Sequence, residues 1–123
     1  MRRTLAVLAT FALALVVTAC GDDGDDSSVS SCQPVTSSFE VGAQDKLRFD
    51  ADSYEADAGC IEVTYLNEGN VPHTLLVKDH KGFKLSVGRS DTGTIELPAG
   101  TYELYCDIAG HESAGMKAEL TVS

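Results

Sequence analysis

Basic residues are scarce in this chain of 123 residues. Lys and Arg together number 9, whereas Asp and Glu number 19, so the formal net charge is −10. Arg2 and Arg3 lie in a leader that we predict to be removed, which leaves 9 − 2 = 7 basic residues and a net charge of 7 − 19 = −12. Such a chain is poorly suited to bind nucleic acid or anionic lipid headgroups directly. Its field can steer a basic partner protein, although simple solubility explains the charge equally well.

The chain also lacks an apolar run of transmembrane length. Its one extended apolar run, residues 5–17, follows the basic pair Arg2 and Arg3 and ends in small residues. That pattern is typical of an export signal and is too short for an ordinary spanning helix. We therefore predict that residues 1–19 form a signal peptide that is removed.

The end of this leader resembles the cleavage box of bacterial lipoproteins. The residues are Val17-Thr18-Ala19-Cys20. The resemblance implies that Cys20 becomes a lipidated N-terminus, which anchors the protein to the extracytoplasmic face of a membrane. The alternative is ordinary cleavage with a chance cysteine at the junction. The following segment, rich in Asp and Ser, cannot bury a core, so we predict a tether over residues 20–36.

Beyond the tether, the chain has a period-two pattern and no long helical stretch. In Cys60–Leu66 the apolar residues alternate with polar ones, as they do in a half-buried strand. Residues 50–59 are acidic and rich in turn formers, so we predict no strand there. We expect one domain over residues 37–123, an all-β antiparallel sandwich. Its predicted strands lie at residues 39–41, 47–49, 60–66, 73–77, 85–87, 94–97, 101–106 and 116–123.

The most informative stretch runs from Cys106 through His111 to Met116. It presents a thiol, an imidazole and a thioether at steps of five residues. Thiolate and thioether ligands favour copper, whereas a thioether is a poor ligand for zinc, calcium or magnesium. His73 can supply a second imidazole. Two His and one Cys in a plane with a weak axial Met form the blue-copper electron-transfer site.

Each of these donors has an ordinary alternative, because a lone Cys, His or Met is usually a packing residue. Their spacing and their positions on the core faces of strands together favour copper. A hydrolase built on Cys106 and His111 would lack an orienting residue and would leave Met116 unexplained. With only three His in the chain, a second copper centre has no ligands, and His80 in its polar loop is predicted to be exposed and non-ligating. A binuclear thiolate-bridged centre would need a second Cys beside Cys106.

The remaining cysteines suggest a disulfide. Export permits disulfide formation, and assigning Cys20 to lipid and Cys106 to metal leaves Cys32 and Cys60 as a pair. The bridge would join the N-terminal arm to the start of a strand. Connectivity cannot be derived from sequence alone, and two separate thiols are the alternative.

Two segments resemble the cupredoxins, the family of plastocyanin, azurin and rusticyanin. Residues 100–106 (GTYELYC) resemble the strand that leads to the copper thiolate, and residues 67–74 (NEGNVPHT) resemble the segment of the family's first histidine. The spacing Cys-x4-His-x4-Met is like that of rusticyanin. The resemblance covers residues 37–123 and implies a Greek-key sandwich. Thr74 departs from the Asn that many members have after the histidine.

The resemblance also implies a function. It predicts a type 1 copper electron carrier that binds one copper ion through His73, Cys106, His111 and Met116, and that is not an enzyme. A copper-delivery protein without a redox partner is the alternative. The expected partner is a redox protein such as a cytochrome or an oxidase, and the expected state is a monomer. His111 is the candidate for electron exit, and Tyr105 is either a second route or an ordinary strand residue.

Overall fold

The computed structural model describes residues 31–85 and 88–123 of the chain. The predicted signal peptide, the lipidation site at Cys20 and most of the predicted tether lie outside the described residues. Within them no helix is long and apolar enough to cross a membrane.

In the described part of the chain, nine strands form two sheets that pack face to face. In chain order they are β1 (Ser37–Gln44), β2 (Arg48–Phe49), β3 (Ser53–Ala56), β4 (Gly59–Asn67), β5 (Leu75–Val77), β6 (Lys84–Leu85), β7 (Ser90–Leu97), β8 (Gly100–Tyr105) and β9 (Lys117–Val122). The first sheet has the order β2-β1-β4-β7 and the second has the order β3-β9-β8-β5-β6. The prediction of an all-β sandwich is therefore confirmed.

Strand pairing is mixed rather than wholly antiparallel. β1 pairs with β4 in parallel, from Ser37 opposite Ile61 to Ala43 opposite Asn67. β3 pairs with β9 in parallel as well, while the other strand pairs are antiparallel. The prediction of an antiparallel sandwich was wrong in these two places. Parallel partners need a long connection rather than a hairpin, and no short turn signal marks such a pairing in the sequence.

Strand bounds predicted from the sequence also change in several places. Residues 50–59 contain β3, which is short, exposed at alternate positions and supported by its pairing with β9 rather than by a hydrophobic pattern. The strand predicted from His73 begins only at Leu75. The strand predicted over residues 85–87 is described only as far as Leu85, because residues 86 and 87 lie outside the described part of the chain.

The core lies between the sheets and is built from alternating side chains. In β9 the residues Ala118, Leu120 and Val122 are buried and their neighbours are exposed, which confirms the predicted apolar face. Burying one Leu, Val or Ile side chain contributes about 1.5–3 kcal/mol relative to leaving it in water. The same apolar cluster includes Cys106 and Met116, so two predicted copper ligands are rooted in the core itself.

A disulfide joins Cys32 to Cys60, as predicted. Cys60 lies at the start of β4, and Thr36 donates its backbone N–H to the Cys60 carbonyl at 2.8 Å. The backbone N–H of Cys32 donates to the Thr94 hydroxyl at 3.0 Å. The bridge therefore attaches the segment before β1 to the first sheet.

Candidate metal centre

Three predicted donors come from separate segments of the second sheet. His73 lies in the loop before β5, Cys106 directly follows β8, and His111 lies in the turn between β8 and β9. β5 and β8 are hydrogen-bonded neighbours, with Leu76 opposite Tyr105. That pairing brings the residues before β5 next to the residues after β8. The site is thus assembled at one end of the sheet by strand pairing.

The donor atoms of these three residues lie within 4.8 Å of one another. The Nδ1 atoms of His73 and His111 are 3.2 Å apart, and Cys106 Sγ lies 3.6 Å from His111 Nδ1. For a tetrahedral ion with Zn-like bond lengths of about 2.0 Å to nitrogen and 2.3 Å to sulfur, these separations would be about 3.3 and 3.5 Å. The three donors are therefore spaced to share one metal ion. His73 and Cys106 are fully buried, whereas His111 is partly exposed, as predicted.

Met116 is fully buried immediately before β9. Its carbonyl accepts a hydrogen bond from the Cys106 N–H at 3.3 Å, and its own N–H donates to the His111 carbonyl at 3.0 Å. The loop from Cys106 to Met116 is therefore closed by its own backbone, with a thioether beside the thiolate segment. This donor chemistry suits copper better than zinc, calcium or magnesium. The axial contact of the Met116 sulfur stays a prediction.

The surroundings of His73 favour the neutral form of its imidazole. Burial lowers the pKa of His73, and the neighbouring His111 lowers it further, while the Gln44 backbone and Asp45 oppose the shift. Neutral imidazole is the form that binds metal. The Nε2 atom of this ring is buried without a hydrogen-bond partner of ordinary geometry among the described residues. The Nδ1 atom faces His111 and is thus the nitrogen available to an ion.

Asp45 fixes the loop that carries His73. Its carboxylate accepts the backbone N–H groups of Asn70 at 2.7 Å and Val71 at 2.8 Å. These two hydrogen bonds, of which the one from Val71 has the larger effect, hold the pKa of the Asp45 carboxyl below its ordinary value. The packing is close at Gly69, where an added Cβ would lie 2.0 Å from the Asp45 carboxylate. The β1–β2 turn therefore supports the first histidine, a contact that the sequence analysis did not identify.

Thr74 lies between the two buried ligands and contacts the sulfur directly. Its backbone N–H donates to Cys106 Sγ at 3.4 Å, and its hydroxyl oxygen also lies 3.4 Å from that sulfur. The prediction that a neighbouring amide bonds to the Cys106 sulfur is confirmed. Such contacts to a ligand sulfur tune the metal that it binds.

Comparisons with known proteins agree with this geometry. Residues 77–123 match the family profile of the sulfocyanin (SoxE) domain. That segment contains Cys106, His111 and Met116, but not His73. No curated protein matches the chain.

Solved structures match over most of the chain. Auracyanin from the photosynthetic bacterium Roseiflexus castenholzii has a TM-score of 0.61 at 21% identity, covering 73% of this chain and 99% of its own. Auracyanin B has a TM-score of 0.62 at 22% identity, and the match covers 78% of this chain and 95% of auracyanin B. An azurin from Methylomonas sp. strain J has a TM-score of 0.58 at 13% identity, covering 72% and 99%. The chain has the cupredoxin fold.

Within this cupredoxin fold, the three donors have the arrangement of a type 1 copper site. Together with the sulfocyanin match, the convergence of His73, Cys106 and His111 supports one copper ion as the cofactor. Met116 occupies the position at which the resemblance places the axial ligand.

The turn of the cupredoxin domain between Cys106 and Met116 depends on two glycines. Gly110 has φ +85° and Gly115 has φ +107°, both in the left-handed region that side chains disfavour. A Cβ at either position would meet no atom within 4 Å. The need for glycine here is therefore conformational rather than steric, as expected from their positions directly before His111 and Met116.

An acidic residue and a basic residue extend the site outward from Thr74. The Thr74 hydroxyl lies 2.6 Å from Asp107 Oδ1, and Lys84 Nζ lies 2.7 Å from Asp107 Oδ2. Burial alone would raise the pKa of the Asp107 carboxyl, but the hydrogen bonds from Lys84 and Thr74 outweigh it, so the pKa is lowered. The sequence carries no signal for this connection, because Lys84 and Asp107 are 23 residues apart and both belong to residue types that usually face solvent.

Tyr65 is another residue near the site that the sequence analysis did not identify. Its side chain is fully buried in β4, and its hydroxyl has no hydrogen-bond partner among the described residues. Burial raises the pKa of Tyr65, and the charge of the Cys106 thiolate raises it further. A neutral phenol is thus fixed near the copper thiolate in the apolar core.

The third histidine does not join the site. His80 is absent from the group of converging donors, as predicted. It is partly buried rather than exposed, because its ring packs edge-on against Tyr102 at 5.4 Å and its Nδ1 lies 2.9 Å from the Lys78 carbonyl. Tyr105 is partly exposed and lines a surface cleft with Leu76, Val77, Lys78, Asp79, His80 and Lys81. A role of Tyr105 in electron transfer stays a prediction.

Proposed function

We propose that this protein is a mononuclear type 1 blue copper electron carrier, anchored through Cys20 on the extracytoplasmic face of a bacterial membrane. The convergence of one thiol and two imidazole nitrogens within 4.8 Å, with two of the three residues fully buried, carries the proposal. Copper bound there would cycle between Cu(I) and Cu(II). Cys106 would supply the strong thiolate ligand, His73 and His111 would complete the plane, and Met116 would be the weak axial ligand.

The scaffold limits rearrangement of the ligands on electron transfer. His73 is fixed through the Asp45 contacts with its loop, and Cys106 is fixed by the Thr74 N–H and by the β8–β9 pairing. A site whose ligands are held by packed strands keeps the same geometry in both oxidation states. His111 is the one donor of the three with an exposed edge, so we place electron exit there.

The location and partner are proposed on separate grounds. The Cys32–Cys60 disulfide favours an oxidising compartment outside the cytoplasm. The apolar leader followed by Cys20 supports lipid anchoring. The acidic charge suits a redox partner with a basic docking face, for which a cytochrome or an oxidase is the expected class. We propose a monomer that acts as a carrier and not as an enzyme.

Loading the copper-free mature protein with Cu(II) tests the proposal. We expect an intense thiolate-to-copper absorption band and a narrow copper hyperfine splitting in the EPR spectrum. Cys106→Ser should abolish the band, whereas the matched control His80→Gln should retain it, because His80 lies outside the donor group. A colourless protein with an ordinary square-planar copper spectrum would refute the assignment.

Voltammetry and metal transfer separate a carrier from a delivery protein. A carrier should show a reversible one-electron couple and should retain copper in the presence of a competing chelator. Rapid transfer of copper to an acceptor would instead support the delivery function.

A further inference from the structure

We infer that Asp107, held by Lys84, directs the Thr74 hydroxyl proton away from the Cys106 sulfur and thereby keeps the reduction potential of the copper site low. Asp107 is a positioning residue in this arrangement, because it acts on the sulfur only through Thr74. The inference rests on the copper site of the proposed function.

The first step concerns the single proton of the Thr74 hydroxyl. Its oxygen has two candidate acceptors, Asp107 Oδ1 at 2.6 Å and Cys106 Sγ at 3.4 Å. A threonine hydroxyl can donate only once. The short distance to Asp107 is typical of a charge-assisted bond to a carboxylate, which is about twice as strong as a neutral one. The proton therefore lies on the Asp107 side.

The second step concerns the lone pairs of the same oxygen. The backbone N–H of Asp107 donates to Thr74 Oγ1 at 3.1 Å, which occupies one lone pair. A hydroxyl oxygen has two acceptor sites. The oxygen thus faces the sulfur without a proton between them, and from Thr74 the sulfur receives only the backbone N–H at 3.4 Å.

The third step is the role of Lys84. Its ammonium donates to Asp107 Oδ2 at 2.7 Å, so the carboxylate is bound on both oxygens and its orientation is fixed. Lysine can donate hydrogen bonds but cannot accept them. The ammonium beside Oδ2 favours the ionised carboxylate, which has no proton to donate, so Asp107 accepts on both oxygens and Thr74 is the donor.

This arrangement has a consequence for the metal. A hydrogen bond to a ligand thiolate withdraws electron density from the sulfur and weakens its donation to Cu(II), which favours Cu(I). Keeping the hydroxyl proton away from the sulfur leaves the thiolate electron-rich and favours Cu(II). The potential should rise when that proton is released toward the sulfur.

Asp107→Asn should release the Thr74 hydroxyl proton toward Cys106 Sγ. Because Lys84 only donates, the amide oxygen of the new side chain should face Lys84, and its NH₂ group should then face Thr74. An NH₂ group also only donates, so the Thr74 hydroxyl loses its acceptor and Cys106 Sγ becomes the remaining one. We expect a higher reduction potential and a lower Cu–S stretching frequency in the resonance Raman spectrum.

Asp107→Asn also removes a negative charge, and that loss raises the reduction potential by itself. A double-mutant cycle in the full mature protein separates this charge effect from the effect of the hydroxyl proton. The four proteins are the wild type, Asp107→Asn, Thr74→Val and the double variant. The charge effect is present in both backgrounds, whereas the hydroxyl effect requires Thr74. We expect Asp107→Asn to raise the potential more in the Thr74 background than in the Thr74→Val background. Glu103→Gln is the matched control for the loss of one carboxylate charge. It breaks the exposed ion pair between Lys78 and Glu103, whose atoms are 2.8 Å apart and which does not contact Thr74.

Two results would overturn the inference. One is an equal shift of potential and of Cu–S frequency in both backgrounds, since only charge would then be acting. The other is a fall in potential on Thr74→Val alone, since the hydroxyl would then already be donating to the sulfur. Thr74→Ser keeps the hydroxyl and should retain the wild-type values, and Thr74→Ala serves if the valine variant does not fold. A wild type without a blue band would refute the proposed function as well, whereas a blue wild type with equal shifts would refute only this inference.

Discussion

Removing the Cys32–Cys60 disulfide should destabilise the domain strongly while leaving the copper site unchanged. The two cysteines are 28 residues apart in sequence. In the chain-entropy model, opening a loop of that length returns about 12 cal/mol/K to the unfolded chain, or about 3.6 kcal/mol at 25 °C. For a domain of this size such a loss lowers the melting temperature by about 14–29 °C.

The choice of variants separates the crosslink from packing. Cys60 is buried, so its replacement also removes a packed side chain, whereas Cys32 is only partly buried. Cys32→Ala under mild reduction opens the loop and keeps the Cys60 side chain. The double variant Cys32→Ala/Cys60→Ala adds the packing loss, so the difference between the two variants measures that loss alone.

Urea unfolding of the copper-free proteins measures the effect without stabilisation by the metal. The copper-loaded variants should retain the blue band, because Cys60 lies at the start of β4 and the loop that carries His73 follows the far end of that strand. A loss of less than about 1 kcal/mol would show that the unfolded chain gains little freedom and would refute the entropic reasoning. Loss of the band would show that the two ends of β4 are coupled.

Three further predictions concern the copper loop and the leader. Met116→Leu should raise the reduction potential of the copper site and keep the visible band, whereas Met116→Gln offers a harder oxygen ligand and should lower the potential. Voltammetry measures both shifts. If the potential is unchanged in both variants, Met116 is only a core residue. Gly115→Ala should destabilise the protein by about 1–2 kcal/mol in the same urea assay, because Gly115 has a positive φ. Gly82→Ala is the control and should be near neutral, because a Cβ at Gly82 also has no neighbour within 4 Å but Gly82 has no positive φ. Cys20→Ser should release the protein from membranes or block its processing on fractionation, and unchanged membrane association would exclude lipidation there.

The ligand set could be predicted because it follows the alternation of the strands. Cys106 continues the buried face of Leu104, and Met116 precedes the buried face of Ala118, so each donor lies at a position that the period-two pattern directs inward. The thiol, imidazole and thioether side chains of these donors then favour copper over zinc, calcium or magnesium. His73 and Thr74 break this pattern, because both are buried. Thr74 contacts the sulfur of another segment, which explains why the predicted strand began two residues too early.

Other features depend on contacts between distant segments, for which a single sequence has no local sign. β3 has only one buried residue, Ala56, and its partner strand is more than 60 residues away in the sequence. Asp45 supports His73 through backbone N–H groups, which are the same in every residue except proline. Lys84 and Asp107 meet only because the second sheet places β6 and the end of β8 on either side of β5.

The parallel pairing of β3 with β9 bears on the order in which the molecule can assemble. β9 follows every other strand in the sequence, yet it lies between β3 and β8 in the second sheet. During synthesis, β3 has no partner among the described strands until β9 has emerged, and β8 has only β5. The second sheet therefore closes late, and the loop that holds Cys106, His111 and Met116 is fixed only when β9 docks. The complete set of candidate copper ligands is consequently in place only at the end of assembly.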